Sequence, residues 1–134
     1  MSSQLKKISE LNVLIVDDEM LMRNLIASVI SEIGIINCSF AANGLVALEL
    51  IEQPTSSFDM VICDWMMPQM DGLEFLKQLR AISYKTCFVM LTARKEISDI
   101  LDAKEEGVDA YIAKPFTPLQ LHDKIKALVI KMAN

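Results

Sequence analysis

Three features of this 134-residue sequence predict an α/β fold built on an open, doubly wound sheet of five parallel strands. Five apolar runs alternate with five segments whose apolar residues recur at three- and four-residue steps, the periods of buried strand and amphipathic helix. The apolar runs are continuous and do not alternate with polar residues, as expected of strands covered on both faces. The connections are short, and right-handed crossovers then place helices on both sides of the sheet. With 52% apolar and 23% charged residues the chain has the composition of one folded domain with a real core. Residues 1–134 are expected to form that single domain, with residues 1–10 a short polar lead-in and no output domain.

The first strand is residues 11–16, ending on Asp17-Asp18-Glu19. Leu21, Met22, Leu25, Ile26, Val29, Ile30 and Ile33 then mark a helix, with Gly34 where a left-handed C-terminal cap belongs. Residues 35–40 form a second strand, and Asn43-Gly44 opens a helix carrying Leu45, Leu48 and Ile51 on one face. The third strand, residues 59–63, delivers Asp64 to its carboxyl end. Asp71 and Glu74 have the spacing of a capping box for a helix burying Leu73, Leu76 and Leu79, with Phe75 beside them. Residues 86–91 form a fourth strand ending on Thr92, followed by a charged helix over 96–106 with a thin apolar face of Ile97, Ile100 and Leu101. A short fifth strand, 109–113, ends on Lys114-Pro115. Thr117-Pro118 starts a last helix that buries Leu121, Ile125, Leu128 and Val129.

Composition excludes several classes. A net charge of −5 without a basic patch argues against direct nucleic-acid binding. No apolar run is long enough to span a bilayer, and the start lacks the apolar stretch of a secretory leader. Cys38, Cys63 and Cys87 each lie in an apolar strand run without metal-ligand spacing, so they read as buried small residues in a reducing, cytoplasmic compartment.

The carboxyl ends of the predicted strands carry Asp17 and Asp18, Asp64, Thr92 and Lys114. A parallel sheet brings these ends to one edge, where such folds keep their chemistry. Three neighbouring carboxylates repel one another and call for a counter-charge, which a partly hydrated Mg²⁺ supplies while also bridging carboxylate to phosphate. With an ammonium and a hydroxyl beside them, they form a receptor for a transferring phosphoryl group, and a carboxylate can itself be the nucleophile.

These residues, with Asp64-Trp65-Met66-Met67-Pro68, Met70-Asp71-Gly72, Thr92-Ala93 and Lys114-Pro115-Phe116 in order at the right strand ends, give the chain a close resemblance to CheY-like response-regulator receiver domains. The resemblance runs from Leu11 to the last helix and implies strand order 2-1-3-4-5, an order CheY itself exemplifies. It implies that Asp64 is the phosphoacceptor, that Asp18, Asp64 and the Met66 carbonyl bind Mg²⁺ (Mn²⁺ being possible), and that Asp17 acts through water or at the edge of the site. Lys114, followed by a cis proline, pairs with the phosphoryl group and Thr92 hydrogen-bonds to it, while Tyr111 is the switch aromatic that turns inward as Thr92 moves. The implied protein is a switch and not an enzyme, with self-catalysed phosphotransfer and dephosphorylation at most. Its implied donors are a sensor histidine kinase, a phosphotransfer protein or a small donor. Its output is altered protein binding on the face of the fourth helix, fifth strand and fifth helix, as a monomer or a phosphorylation-dependent dimer, with chemotaxis one pathway.

Taken singly, Asp17, Asp18 and Thr92 read as helix caps, Lys114 as a solvated surface residue and Tyr111 as core; jointly they read as a site. Trp65 reads as partial packing or a partner contact, and His122 and Asp123 as surface. Met66 is apolar where CheY is polar and Arg94 basic where CheY is acidic, which marks both as candidates for setting the phosphoryl lifetime. Three alternatives stand beside this reading: a receiver cut from a longer regulator, a Mg²⁺-dependent phosphohydrolase working through an aspartyl phosphate, and a flavodoxin-like electron carrier.

Overall fold

The computed structural model describes residues 6–133, so of the polar lead-in residues 1–5 lie outside the described residues. A 3-10 turn over Ile8–Glu10 leads into β1 (Asn12–Val16). There follow α1 (Met20–Ile33), β2 (Asn37–Ala41), α2 (Gly44–Ile51), β3 (Met60–Asp64), α3 (Gly72–Ile82), β4 (Cys87–Thr92), α4 (Ile97–Glu105), β5 (Ala110–Ala113) and α5 (Pro118–Ala133). The five strands form one parallel sheet in the order β2-β1-β3-β4-β5, as the sequence and its resemblance imply.

Successive strand residues point to opposite faces, and this splits the core in two. Val13, Ile15, Ile62, Val89 and Ile112 pack with Ile26 and Ile30 of α1 and Leu121, Ile125 and Val129 of α5. Leu14, Val61, Cys63, Phe88 and Met90 pack with Ala47 of α2, Phe75, Leu76 and Leu79 of α3, and Ala103 of α4. Each large side chain removed from water in these layers contributes roughly 1.5–3 kcal/mol. Both faces are dry, which is why the strand runs read as continuously apolar.

The helix boundaries follow local chemistry. Gly34 at φ 113° closes α1 in the left-handed conformation, its N–H donating to Ile30 and Ser31 carbonyls. Asn43 Oδ1 accepts the Val46 N–H at the start of α2. Asp71 Oδ1 accepts the Glu74 N–H at 2.9 Å, but the Glu74 carboxylate turns to Gln78, so only half of the expected capping box forms at α3. The full reciprocal box is at α5, where Thr117 Oγ1 accepts the Gln120 N–H and Gln120 Oε1 accepts the Thr117 N–H.

Several expected inward faces turn out differently. In α2 the buried positions are Gly44 and Ala47, and Leu45 is exposed. In α3 Phe75 is fully buried and Leu73 only half-buried. Leu128 of α5 is half-buried. The largest correction is α4, whose Ile97, Ile100 and Leu101 are 75%, 37% and 58% exposed, while Ala103 is buried. Periodicity identifies an apolar stripe but not the side the sheet takes, and a small alanine that permits close approach carries little hydrophobic signal. Trp65, expected as partial packing or a partner contact, is 4% exposed and belongs to the core. Its N–H donates to Leu91 O, extending β3 by one residue and turning its ring onto the α2–α4 face.

Candidate functional site

Four strand ends meet at one edge of the sheet. The Asp17 N–H donates to Ala41 O, continuing the ladder past β1, and Asp64 and Thr92 are the last residues of β3 and β4. Lys114 follows β5, its N–H donating to Thr92 O at 2.8 Å, and the Lys114-Pro115 peptide is cis as expected. The α3 start presses against this edge: Gly72 N–H donates to Trp65 O, and a Cβ at Gly72 would overlap the Asp64 carbonyl oxygen.

Carboxylate oxygens of Asp17, Asp18 and Asp64 all lie within 4.8 Å of one another. Asp17 is fully buried, Asp64 is 7% exposed and Asp18 faces solvent. Lys114 Nζ stands 3.3 Å from Asp64 Oδ2 and 3.6 Å from Asp17 Oδ2. Asp17 Oδ1 accepts the Glu19 N–H, and Arg23 holds the Asp17 main-chain carbonyl at 2.7 Å. Asp17 Oδ2 is buried without a hydrogen-bond donor. An anionic oxygen without a donor is costly, and beside two more carboxylates it fits a hard divalent cation. The residues present fit such an ion.

Electrostatics agree with the geometry. Burial raises the Asp17 carboxyl above its usual range, Asp64 and Asp18 push it further, and the Glu19 N–H and Lys114 pull it back. Burial likewise raises Asp64, with Lys114 and the Met66 N–H opposing and Asp18 adding to the rise. Arg23 was not singled out from sequence, since nothing in linear spacing connects it to the Asp17 carbonyl, and Asp71, read there as a helix cap and part of a motif, also lines the cleft.

The switch candidates lie on the other parity. Thr92 Oγ1 is buried and accepts the Arg94 N–H at 3.0 Å, so it caps no helix; α4 begins after Glu96. The Tyr111 hydroxyl donates to Arg94 O at 2.8 Å, and its ring meets Trp65 edge-on at 6.3 Å. Met66 is 58% exposed and lines the same cleft as Asp18 and Arg94. His122 and Asp123 pair with each other on α5, away from the cluster, His122 partly covered and Asp123 exposed. Cys63 and Cys87 are buried, which raises both thiols, and Cys38 is half-buried. Among the described residues no helix is long and apolar enough to cross a membrane.

A five-stranded parallel sheet that gathers three acids, a hydroxyl and an ammonium at its carboxyl edge defines a phosphoacceptor switch of the α/β class. The response regulator receiver domain family matches residues 13–126, and the chain belongs to that family. It is 36% identical over 117 residues to the chemotaxis protein CheY-3 of Vibrio cholerae, covering 86% of this chain and 88% of that one. It is 33% identical to the chemotaxis protein CheY of Pseudomonas aeruginosa, covering 88% and 95%. The receiver domain of a Francisella response regulator superposes with a TM-score of 0.81 at 31% identity, over 91% of this chain and 98% of that one. A CheY-like receiver domain from Methanospirillum hungatei gives 0.82 at 26% identity, over 91% and 95%. The chain is therefore a receiver, a switch and not an enzyme in the usual sense, and receivers take their signal from histidine kinases. Membership decides against the phosphohydrolase and flavodoxin-like alternatives.

Proposed function

We propose that Asp64 is the residue phosphorylated. Its carboxylate attacks the phosphorus of a phosphohistidine on a sensor kinase or phosphotransfer protein, an O–P bond forms, the N–P bond breaks and the imidazole leaves. The observation that carries this is the position of Asp64: on the strand end, 7% exposed, with Lys114 Nζ at 3.3 Å and two further acids alongside. Asp17, Asp18, Asp64 and the Met66 carbonyl are the groups to hold Mg²⁺, with Mn²⁺ able to substitute. Bound there, the ion neutralises the acids and the incoming phosphoryl oxygens. Lys114 contributes a second positive charge on the acceptor side, and Thr92 offers its hydroxyl to a phosphoryl oxygen.

When Thr92 turns to the phosphoryl group, the Arg94 N–H loses its acceptor and the loop that also holds the Tyr111 hydroxyl is free to shift. The output is then a changed binding surface on α4, β5 and α5, read by a protein effector. The likeness to two proteins named for chemotaxis supports that pathway, and the buried free thiols support a cytoplasmic location.

The decisive test is labelling by acetyl phosphate in Mg²⁺. Wild type takes up one phosphoryl group and Asp64→Asn takes none while keeping its circular dichroism; label persisting in Asp64→Asn overturns the assignment. Met66 and Arg94 flank the cleft that water must cross to reach the acyl phosphate, so they set its lifetime. Exchanging them for polar and acidic residues changes the dephosphorylation rate, and an unchanged rate sinks that part of the proposal.

A further inference from the structure

One group of side chains joins α4 to the residue after Asp64. The Arg94 guanidinium carbon lies 4.7 Å from the centroid of the Trp65 ring, and Arg94 Nη1 donates to Asp99 Oδ1 at 2.7 Å. Trp65 is buried, and the side chains of Asp99 and Arg94 are 16% and 41% exposed. Asp99 lies in the first turn of α4. The Arg94 main chain is tied as well, its N–H to Thr92 Oγ1 and its carbonyl to the Tyr111 hydroxyl. One residue thus touches the hydroxyl beside the acids, the β5 tyrosine, the indole after Asp64 and the fourth helix.

An exposed ion pair alone contributes little. This one is different, because the guanidinium lies against a buried indole and meets a mostly covered carboxylate in a short, charge-assisted bond. It also acts on a helix with few other ties to the core, since the apolar stripe of α4 faces outward. A shift of the Arg94 main chain, once Thr92 leaves its N–H, would displace the side chain that makes both contacts.

We propose that Asp99 is a positioning residue that, through Arg94, latches the first turn of α4 to Trp65 in the resting receiver, and that the latch opens on activation. The inference rests on the phosphoacceptor reading of Asp64. A contact made in the resting arrangement and lost in the active one lowers the active population, so removing it favours activation.

The test uses beryllofluoride with Mg²⁺ as the probe, titrated against Asp99→Asn, Arg94→Met and the double variant. The readouts are fluorescence of Trp65, the single tryptophan, and hydrogen exchange over residues 97–105. Asp99→Asn should bind the probe about two- to fivefold more tightly, the size expected of a partly covered ion pair. Its α4 amides should exchange faster before the probe is added. Arg94→Met should do the same, and the double variant no more than either single one. Faster exchange in Asp99→Asn alone, with Arg94→Met unchanged, would mean only a lost helix-end charge and would overturn the latch. So would a wild-type midpoint in Asp99→Asn when wild type itself responds. A wild type that neither takes label nor responds to the probe overturns the phosphoacceptor reading, and the latch with it.

Discussion

Asp17 shows how a candidate site residue works against the fold. It is fully buried, one carboxylate oxygen has no donor, and its nearest cation is Lys114 at 3.6 Å. Burial raises its pKa and that of Asp64, so in the metal-free protein charging both acids carries a free-energy cost. Neutralising either one, by Asp17→Asn or Asp64→Asn, should stabilise the metal-free protein by about 1 kcal/mol, raising Tm by about 3–5 °C in a chelator. Mg²⁺ should stabilise wild type and largely fail to stabilise the variants, which thermal melts with and without the ion will check. The pH dependence follows from the same shifts. With the native pKa values above the ordinary one, the folded state binds more protons in the interval between, so the pair's contribution falls as pH rises through it. The advantage of Asp64→Asn should therefore shrink as pH is lowered toward about 4. An advantage that grows on acidification would contradict the burial argument.

At the scale of elements, the two-residue period of the strands sorts the site. Asp17, Asp64 and Lys114 continue the parity of Ile15, Ile62 and Ile112, on the α1/α5 face. Thr92, Tyr111 and Trp65 continue the parity of Met90, Phe88 and Cys63, on the face that α4 covers. The acids with their lysine, and the threonine with the two aromatics, are thus placed on opposite sides of one sheet edge. The far ends of the strands hold a separate clasp around Arg80 of α3, which is 8% exposed. Its guanidinium donates to the carbonyls of Ser83, Thr86 and Gly107 and pairs with Asp109 at 3.0 Å. That joins α3, the start of β4 and the α4–β5 turn. Arg80→Met leaves Asp109 and three carbonyls without this donor and should cost about 3 kcal/mol, a fall in Tm of about 10 °C. Because the clasp lies opposite the acids, labelling of the folded variant should be unchanged.

For the molecule as a whole, two dry layers hold the sheet rigid while α4 is fastened by little more than Ala103, the Arg94 pair and its flanking turns. A local change at Thr92 therefore has one compliant element to move. Lys114 bridges Asp17 and Asp64 and directly follows β5, the strand that carries Tyr111, so under the proposed function it would tie charge at the acceptor to the switch side. Lys114→Ala should still take up the phosphoryl group but lose most of the probe-induced change in α4 hydrogen exchange. A variant whose α4 responds as fully as wild type would show that the coupling bypasses the lysine.

The sequence by itself determined the element order, the parallel sheet and the identity of the converging groups. Continuous apolar runs require strands dry on both faces, and parallel strands send all their carboxyl ends to one edge. Asp17, Asp18, Asp64, Thr92 and Lys114 were legible for that reason, each standing at a strand end. Only the tertiary structure decided which side each helix buries, as Leu45 and the outward stripe of α4 show. It also decided that Trp65 is core, that Asp17 leaves an oxygen without a donor, and that Arg94 reaches Asp99 and Trp65 together. Those are contacts between residues on different elements. Local periodicity fixes a residue's direction within its own element, whereas the neighbour it meets depends on how the elements pack.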